Sequence, residues 1–276
     1  HTEYGEQIIS NFLFKICNLK KNWTAENFIK DSIDKIRSQV EDNEVICGLS
    51  GGVDSSVVAT LLHKAIGERS KAIFINHGLL RKNEVNEVLI SLQKDLGINI
   101  QLLDESKIFL KKLSGVTDPE RKRKIIGNQF IHSFESEIKN YKSIKFLAQG
   151  TLYPDVIESG GNDKGPAVTI KSHHNVGGLP KNMKLKLIEP LRNLFKDEVR
   201  RVGKKLGLSD LVINRHPFPG PGLAVRIIGK ITSKRVKTLQ EADNIFIQAL
   251  KDFNEYDNIW QAFCVLIPIK TVGVMG

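Results

Sequence analysis

A chain of 276 residues, 41% hydrophobic and 26% charged, can bury a sizeable core, and its length suits one large domain or a large domain with a small companion. No apolar run approaches the roughly 18–20 residues that span a bilayer, and the opening HTEYGEQ lacks the basic-then-apolar layout of a secretion signal, so a cytoplasmic protein without a membrane partner is expected. Lysine and arginine outnumber aspartate and glutamate by 41 to 31, and the net charge of +10 implies a surface that attracts nucleic acid, nucleotides or phosphorylated substrates alike.

In chain order, a helical tail around Ile8 to Ile16 precedes the first strong pattern, a helix over Ala25 to Val40 with Phe28, Ile29, Ile33 and Ile36 at helical spacing. A strand follows at Glu44 to Leu49, then a helix from about Ser55 to Ile66, closed by Gly67. The next units read strand (Lys71 to Asn76), helix (Asn83 to Leu96, ended by Gly97) and strand (Ile98 to Leu103). Asp118-Pro119-Glu120 opens a further helix, with aspartate as cap, proline at the first helical position and an apolar stripe of Ile126, Phe130, Phe134 and Ile138. Lys145 to Ala148 resumes the sheet, Glu158 to Pro180 reads as a glycine-rich loop, and Phe195 to Leu206 is helical up to Gly207. HPFPGPG, residues 216–222, excludes helix and central strand and marks a domain boundary. Beyond it, Leu223 to Gly276 reads as strand, helix (Ser233 to Phe253) and strand. Strands alternating with helices imply βαβ units and an α/β fold, a twisted parallel sheet with helices on both faces.

Cys17, Cys47 and Cys264 lie far apart, in odd number and without C-x-x-C spacing, which argues against a disulfide framework and a thiolate metal site. They read as reduced, small hydrophobes.

The stretch richest in chemistry is SGGVDSS, Ser50 to Ser56, where a strand's carboxyl end meets a helix's amino end. Ligands of open α/β sheets bind at such a junction, and unpaired N–H groups and the helix dipole there favour an anion. Gly51 and Gly52 admit a phosphate without a Cβ in the way, and Ser50, Ser55 and Ser56 add hydroxyl donors. A serine-capped tight turn is the plainer alternative. The loop lacks the lysine of a Walker A motif.

SGGVDSS resembles the pyrophosphate loop of the N-type ATP pyrophosphatases. GLLRKNE (78–84), DPERKRKIIG (118–127), LAQGTLYPDVIES (147–159), KSHHNVGGLP (171–180), RHPFPGPGL (215–223) and the terminal KTVGVMG are similar, in the same order, to stretches of the GMP synthetases of that superfamily. The resemblance implies the adenine nucleotide α-hydrolase-like fold over 23–215, a tail of a glutaminase domain or linker over 1–22, and a partial α+β dimerisation domain over 216–276. It implies adenylation of xanthosine monophosphate by ATP and amination by ammonia, which a glutaminase domain would draw from glutamine. A homodimer and Mg²⁺ are further implications.

By resemblance, Ser50, Gly51, Gly52, Val53, Asp54, Ser55, Ser56, Gly150 and Thr151 hold ATP, while Asp54 and Asp155 help bind Mg²⁺. A helix cap for Asp54 and a turn residue for Asp155 are the plainer roles. Arg121, Lys122, Arg123 and Lys124 sit in the opening turns of their helix, each opposing the helix dipole at roughly 0.3–1 kcal/mol, which suggests an anionic partner. A lid over the ATP phosphates is the family reading, a solvated face the plainer one. Arg121, Lys122 and Lys171 join Asp54 as candidate catalytic residues. His173 and His174, as neighbours, do not share a face and suit loop hydrogen bonds better than a metal. For xanthosine monophosphate the resemblance points to Arg81, Pro217, Gly220, Pro221, Gly222, Gln261 and Lys270. Asn76 stands where the family commonly has aspartate. A tRNA-thiolating enzyme would suit the basic balance, but paired cysteines are missing; a nucleic-acid-binding module would interleave aromatics with basic residues, and only 7% of residues are aromatic, so nucleic acid is not an expected partner.

Overall fold

The computed structural model describes residues 2–141, 143–158 and 185–269. Five parallel strands form one sheet in the order β3-β2-β1-β4-β5: β1 (Glu44–Leu49), β2 (Ser70–Asn76), β3 (Ile100–Asp104), β4 (Ile144–Ala148) and β5 (Lys186–Ile188). Their chain order reverses direction between β1 and β4, so the sheet opens a crevice at the carboxyl ends of those two strands. The expected α/β fold with a parallel sheet is the one observed.

Side chains alternate between the two faces of the sheet, and each face has its own cover. Val45, Cys47, Leu49, Ala72, Phe74, Phe146 and Ala148 meet the helices α2 (Ala25–Val40), α3 (Val53–Ile66) and α8 (Lys196–Leu206). A shorter helix at the chain's start, α1 (Gly5–Ser10), continues as a π-helical turn over Asn11–Ile16. In α2, Thr24 accepts the Asn27 N–H, so the helix begins where the apolar spacing begins. Helix α3 is buried nearly all round because α2 and α8 flank it. Gly203 permits the α8 crossing, since a Cβ there would lie 3.2 Å from Val57.

On the other face, Ile46, Ile73, Ile75 and Leu147 pack against α5 (Ser106–Lys112), α6 (Pro119–Ile138) and α10 (Ser233–Asp252). Asp118 caps α6 by accepting the Arg121 N–H at 2.7 Å, as the Asp-Pro-Glu signature implies. Burial pushes the Cys47 thiol up to about 12, in keeping with a small hydrophobe; Cys17 and Cys264 are also free.

Three expectations are corrected. The helix expected over Asn83 to Leu96 is α4 (Glu84–Val88) running into a π-helical turn, Leu89–Lys94, whose wider winding no spacing rule separates from a regular helix. Helix α5 was not foreseen, being only one short element between β3 and α6. The strand expected from Leu223 is a 3₁₀ turn, Gly222–Arg226; of the expected final strand, the described residues hold one parallel bridge, Ile227 to Leu266, and residues 270–276 lie outside them. The cause is tertiary: Gly222 takes φ +61°, and Leu223 donates its N–H to the Leu79 carbonyl at 2.8 Å, so the chain dives inward instead of pairing. Leu223, Ala224, Ile227, Val236 and Leu239 then share one apolar cluster with the sheet. The short α7 (Tyr153–Glu158) and α9 (Asp210–Ile213) complete the described α-helices.

Candidate nucleotide site

At the crevice, Ser50–Ser56 turns from β1 into α3. Gly51 adopts φ +75° and Gly52 is the N-cap without a side-chain acceptor, so the amides of the first turn of α3 are left to a ligand. The serines brace the turn. Ser55 Oγ donates to the Gly52 carbonyl at 3.1 Å and lies 3.1 Å from Ser50 Oγ, while Ser56 Oγ donates to the same carbonyl at 2.9 Å. The Ser50 N–H also donates to Ser55 Oγ at 3.2 Å and the Gly52 N–H to Ser50 Oγ at 3.4 Å, so the turn is held from within, while the first-turn amides of α3 have no side-chain cap, as an anion cradle would require.

The loop after β4 closes the cradle's other side. Gly150 approaches α3 so closely that a Cβ would sit 3.2 Å from the Asp54 Cβ, which explains glycine at that position. Thr151 Oγ1 and Gln149 Oε1 are buried without a hydrogen-bond partner among the described residues. Such groups are costly unless something else engages them, as a bound nucleotide would. Ser50, Gly51, Gly52, Val53, Asp54, Ser55, Ser56, Gly150 and Thr151 are thus brought to one corner by the β1–β4 adjacency.

The two carboxylates expected at a metal differ in situation. Asp54 is part-exposed at the mouth and pairs with Lys196 Nζ, 2.8 and 2.6 Å from its two oxygens. Asp155 lies in α7 and accepts the Leu152 N–H at 2.8 Å on one oxygen, the other having no hydrogen-bond partner among the described residues. Among the described residues no three His, Cys, Asp or Glu side chains cluster as a metal cage. Magnesium suits such a sparse donor set, because it keeps waters and phosphate oxygens and needs only one or two carboxylates.

A second group of predicted residues converges nearby in the chain's folded path. Gln261 Nε2 donates to the Pro217 carbonyl at 2.9 Å. Arg81 lies 5.1 Å from the Phe218 ring, pairs with the buried Asp243 at 3.2 Å and donates to the Ala262 carbonyl at 3.3 Å. His216 stacks on Tyr256 at 3.9 Å, and its Nδ1 accepts the Ala262 N–H, so its Nε2 carries the proton donated to the Tyr256 carbonyl. Pro217 and Gly220 are exposed, Pro221 half-buried and Gly222 buried against Leu79. Arg226, unforeseen, is buried between Phe218 (5.0 Å) and Phe263 (4.2 Å). Burial, then the neighbouring Arg81 charge, pushes its pKa down to about 10.

The basic run of α6 splits. Arg121 and Lys124 are exposed, as a phosphate-facing role needs, and Arg123 pairs with Glu120. Lys122 is only 1% exposed and donates to the carbonyls of Ala224 (3.2 Å) and Ile227 (2.7 Å), so it fastens α6 to the 3₁₀ turn instead of facing a phosphate. Its site role is corrected on that geometry: helical spacing points residue 122 inward when 121 and 124 point out. Asn76 accepts the Gly78 N–H at 2.9 Å and closes the turn after β2, a task that needs no charge. Lys171, His173, His174 and Lys270 lie outside the described residues.

Lys196, Arg215 and Glu84 were missed as site residues. Lys196 carried a signal, a lysine opening a helix against its dipole ahead of Asp197 and Glu198. Arg215 and Glu84 stand at the ends of the quoted stretches RHPFPGPGL and GLLRKNE, but only the fold brings them to Gly51.

Comparison with known proteins agrees with this geometry. Residues 24–129 match the NAD synthase family. The chain is 56% identical over all 276 residues to glutamine-hydrolyzing GMP synthases of Thermotoga petrophila and Christiangramia forsetii, and spans 55% and 54% of their lengths, about half. In fold it is similar to an NMN synthetase from Francisella tularensis (16% identity, TM-score 0.53, 86% of this chain and 94% of that one). An NH3-dependent NAD synthetase from Campylobacter jejuni is alike to the same degree (19%, 0.52, 86% and 93%). The chain is thus similar along its whole length to GMP synthases, of whose length it spans about half, and it shares its fold with the NAD and NMN synthetases.

Proposed function

We propose that this chain carries the synthetase chemistry of a glutamine-hydrolyzing GMP synthase, in the cytoplasm. The purine O2 of xanthosine monophosphate attacks the α-phosphorus of ATP, and the bond to the β-phosphate oxygen breaks to release pyrophosphate. Ammonia then adds at C2, AMP leaves with the former O2, and one proton is lost to give GMP. Adenylation is needed because oxide is a poor leaving group and AMP a good one.

The observation that carries this reading is Ser50–Ser56 at the switch point between β1 and β4, in a chain 56% identical throughout to proteins of that activity. The amides of Val53 to Ser55 would bind the pyrophosphate portion as its charge grows, a preorganised stabilisation that needs no rearrangement at the moment of reaction. Asp54, and Asp155 through its other oxygen, would hold magnesium, which when bound neutralises phosphate charge. Arg81, Pro217 and Gln261 would orient the xanthosine monophosphate, and Gly220 and Pro221 would wall its pocket. Arg121 and Lys124 would close over the triphosphate. Ammonia would come from glutamine in a glutaminase domain of the longer protein, and a homodimer is expected of residues 216–276.

Pyrophosphate release measured with the nucleotide monophosphate varied tests the reading. Release should require ATP, Mg²⁺ and xanthosine monophosphate, with GMP formed once ammonia is supplied. Release indifferent to the purine base would reduce the assignment to that of an ATP pyrophosphatase.

A further inference from the structure

Between the phosphate loop and the Arg81 cluster lies a contact that neither the motifs nor the comparisons assign. Arg215, immediately before HPFPGPG, sends one guanidinium nitrogen to the Gly51 carbonyl at 2.7 Å and a second to Glu84 Oε1 at 2.5 Å. Glu84 is 1% exposed and its other oxygen accepts the Arg81 N–H at 2.8 Å. The Gly51 α-carbon faces this pair directly: a Cβ there would lie 3.0 Å from Arg215 and 3.3 Å from Glu84. One buried ion pair thus touches three segments, the phosphate loop, the Gly78–Glu84 turn and the 215–222 loop.

We propose that Arg215 and Glu84 are positioning residues that set the phosphate loop and the monophosphate-binding loops in one arrangement, so that binding of each nucleotide favours binding of the other. Arginine fits the task because its planar fork reaches a carbonyl and a carboxylate together, whereas lysine presents a single point. Gly51 takes φ +75°, so its carbonyl direction is set by a backbone state that few residues occupy; the Arg215 bond holds that carbonyl and thereby aims the following N–H groups. On the other side, Glu84 fixes the Arg81 main chain while Asp243 fixes its side chain. If either nucleotide orders its own loop, the shared pair transmits that order, which is a coupling between sites and must be reciprocal.

The inference rests on the proposed function for the identity of the two nucleotides. Its test is ATP affinity, measured by equilibrium dialysis with magnesium, in the absence and presence of saturating xanthosine monophosphate, for the protein and for Arg215→Met, Arg215→Lys and Glu84→Gln. The protein should bind ATP several-fold more tightly when xanthosine monophosphate is present. Arg215→Met should weaken ATP binding about 10- to 100-fold, the scale of one buried charge-assisted contact, and bring the coupling factor close to one. Arg215→Lys should recover part of the affinity and little of the coupling. Should Arg215→Met fail to fold, Glu84→Gln, which keeps shape and the Arg81 acceptor, reads the same loss of coupling. Equal ATP affinity with and without xanthosine monophosphate in the unaltered protein overturns the inference, as does a variant that melts lower yet keeps both affinity and coupling. A protein that couples the two bindings but releases no pyrophosphate would instead overturn the functional reading alone.

Discussion

Lys196 Nζ stands 2.6 and 2.8 Å from the two carboxylate oxygens of Asp54, joining the first turn of α8 to the first turn of α3 across the mouth of the nucleotide corner. Both partners are part-exposed, so the pair adds less than about 1 kcal/mol to stability. Its position suits a ligand-responsive contact: an ATP-bound cation at Asp54 would release the lysine toward phosphate. Asp54→Asn and Lys196→Met should each reduce pyrophosphate release by about 100-fold or more while leaving the melting temperature within a degree or two. A lower melting temperature with unchanged release would make the pair a structural strap.

The α6 basic run should separate into two phenotypes. Lys122→Met leaves the Ala224 and Ile227 carbonyls buried without a donor, at a cost of ~1–3 kcal/mol, read as a lowered denaturation midpoint. Arg121→Ala and Lys124→Ala, at exposed positions, should stay within about 0.5 kcal/mol yet weaken the ATP-dependent step. Identical stability losses in all three would contradict the split.

Two glycines of one loop should respond oppositely. Gly222→Ala forces a side chain at φ +61° and sets a Cβ 2.3 Å from the Leu79 carbonyl oxygen, so the 215–226 segment must move, at roughly 1–3 kcal/mol or more. Gly220→Ala meets nothing within 4 Å and should be tolerated. Thermal melts of the two variants side by side decide it.

His77 predicts an acid sensitivity. Its ring is buried against Phe109 and Phe130, its Nδ1 accepts the Leu79 N–H at 3.0 Å, and burial lowers its pKa to about 4 from 6.5. Because the unfolded chain takes up the proton first, the stability is present in full above about pH 6.5 and is lost as pH falls toward 4, at a total of about 3 kcal/mol. Denaturation midpoints of His77→Gln should fall less steeply than those of the unaltered protein across that window. Parallel slopes would mean that the imidazole is not what responds.

Local chemistry made most of the scaffold legible. Periodicity and caps placed α2 and β1 at their observed bounds, and the strand-glycine-helix junction pointed to the Ser50–Ser56 turn between β1 and α3, because hydrogen-bonding and apolar spacing act over a few residues. What the residues alone could not settle was every feature made by contacts distant in sequence. Lys122 reads as one of four exposed cations until the Ala224 and Ile227 carbonyls arrive to accept its hydrogen bonds, and Leu223 reads as a strand until the Leu79 carbonyl accepts its N–H. Arg215, Glu84 and Lys196 join the site only because the β1–β4 switch point gathers segments 164 and 142 residues apart in contact. Backbone and capping preferences are encoded within a turn or two of chain; burial and charge pairing are decided by what the fold brings alongside.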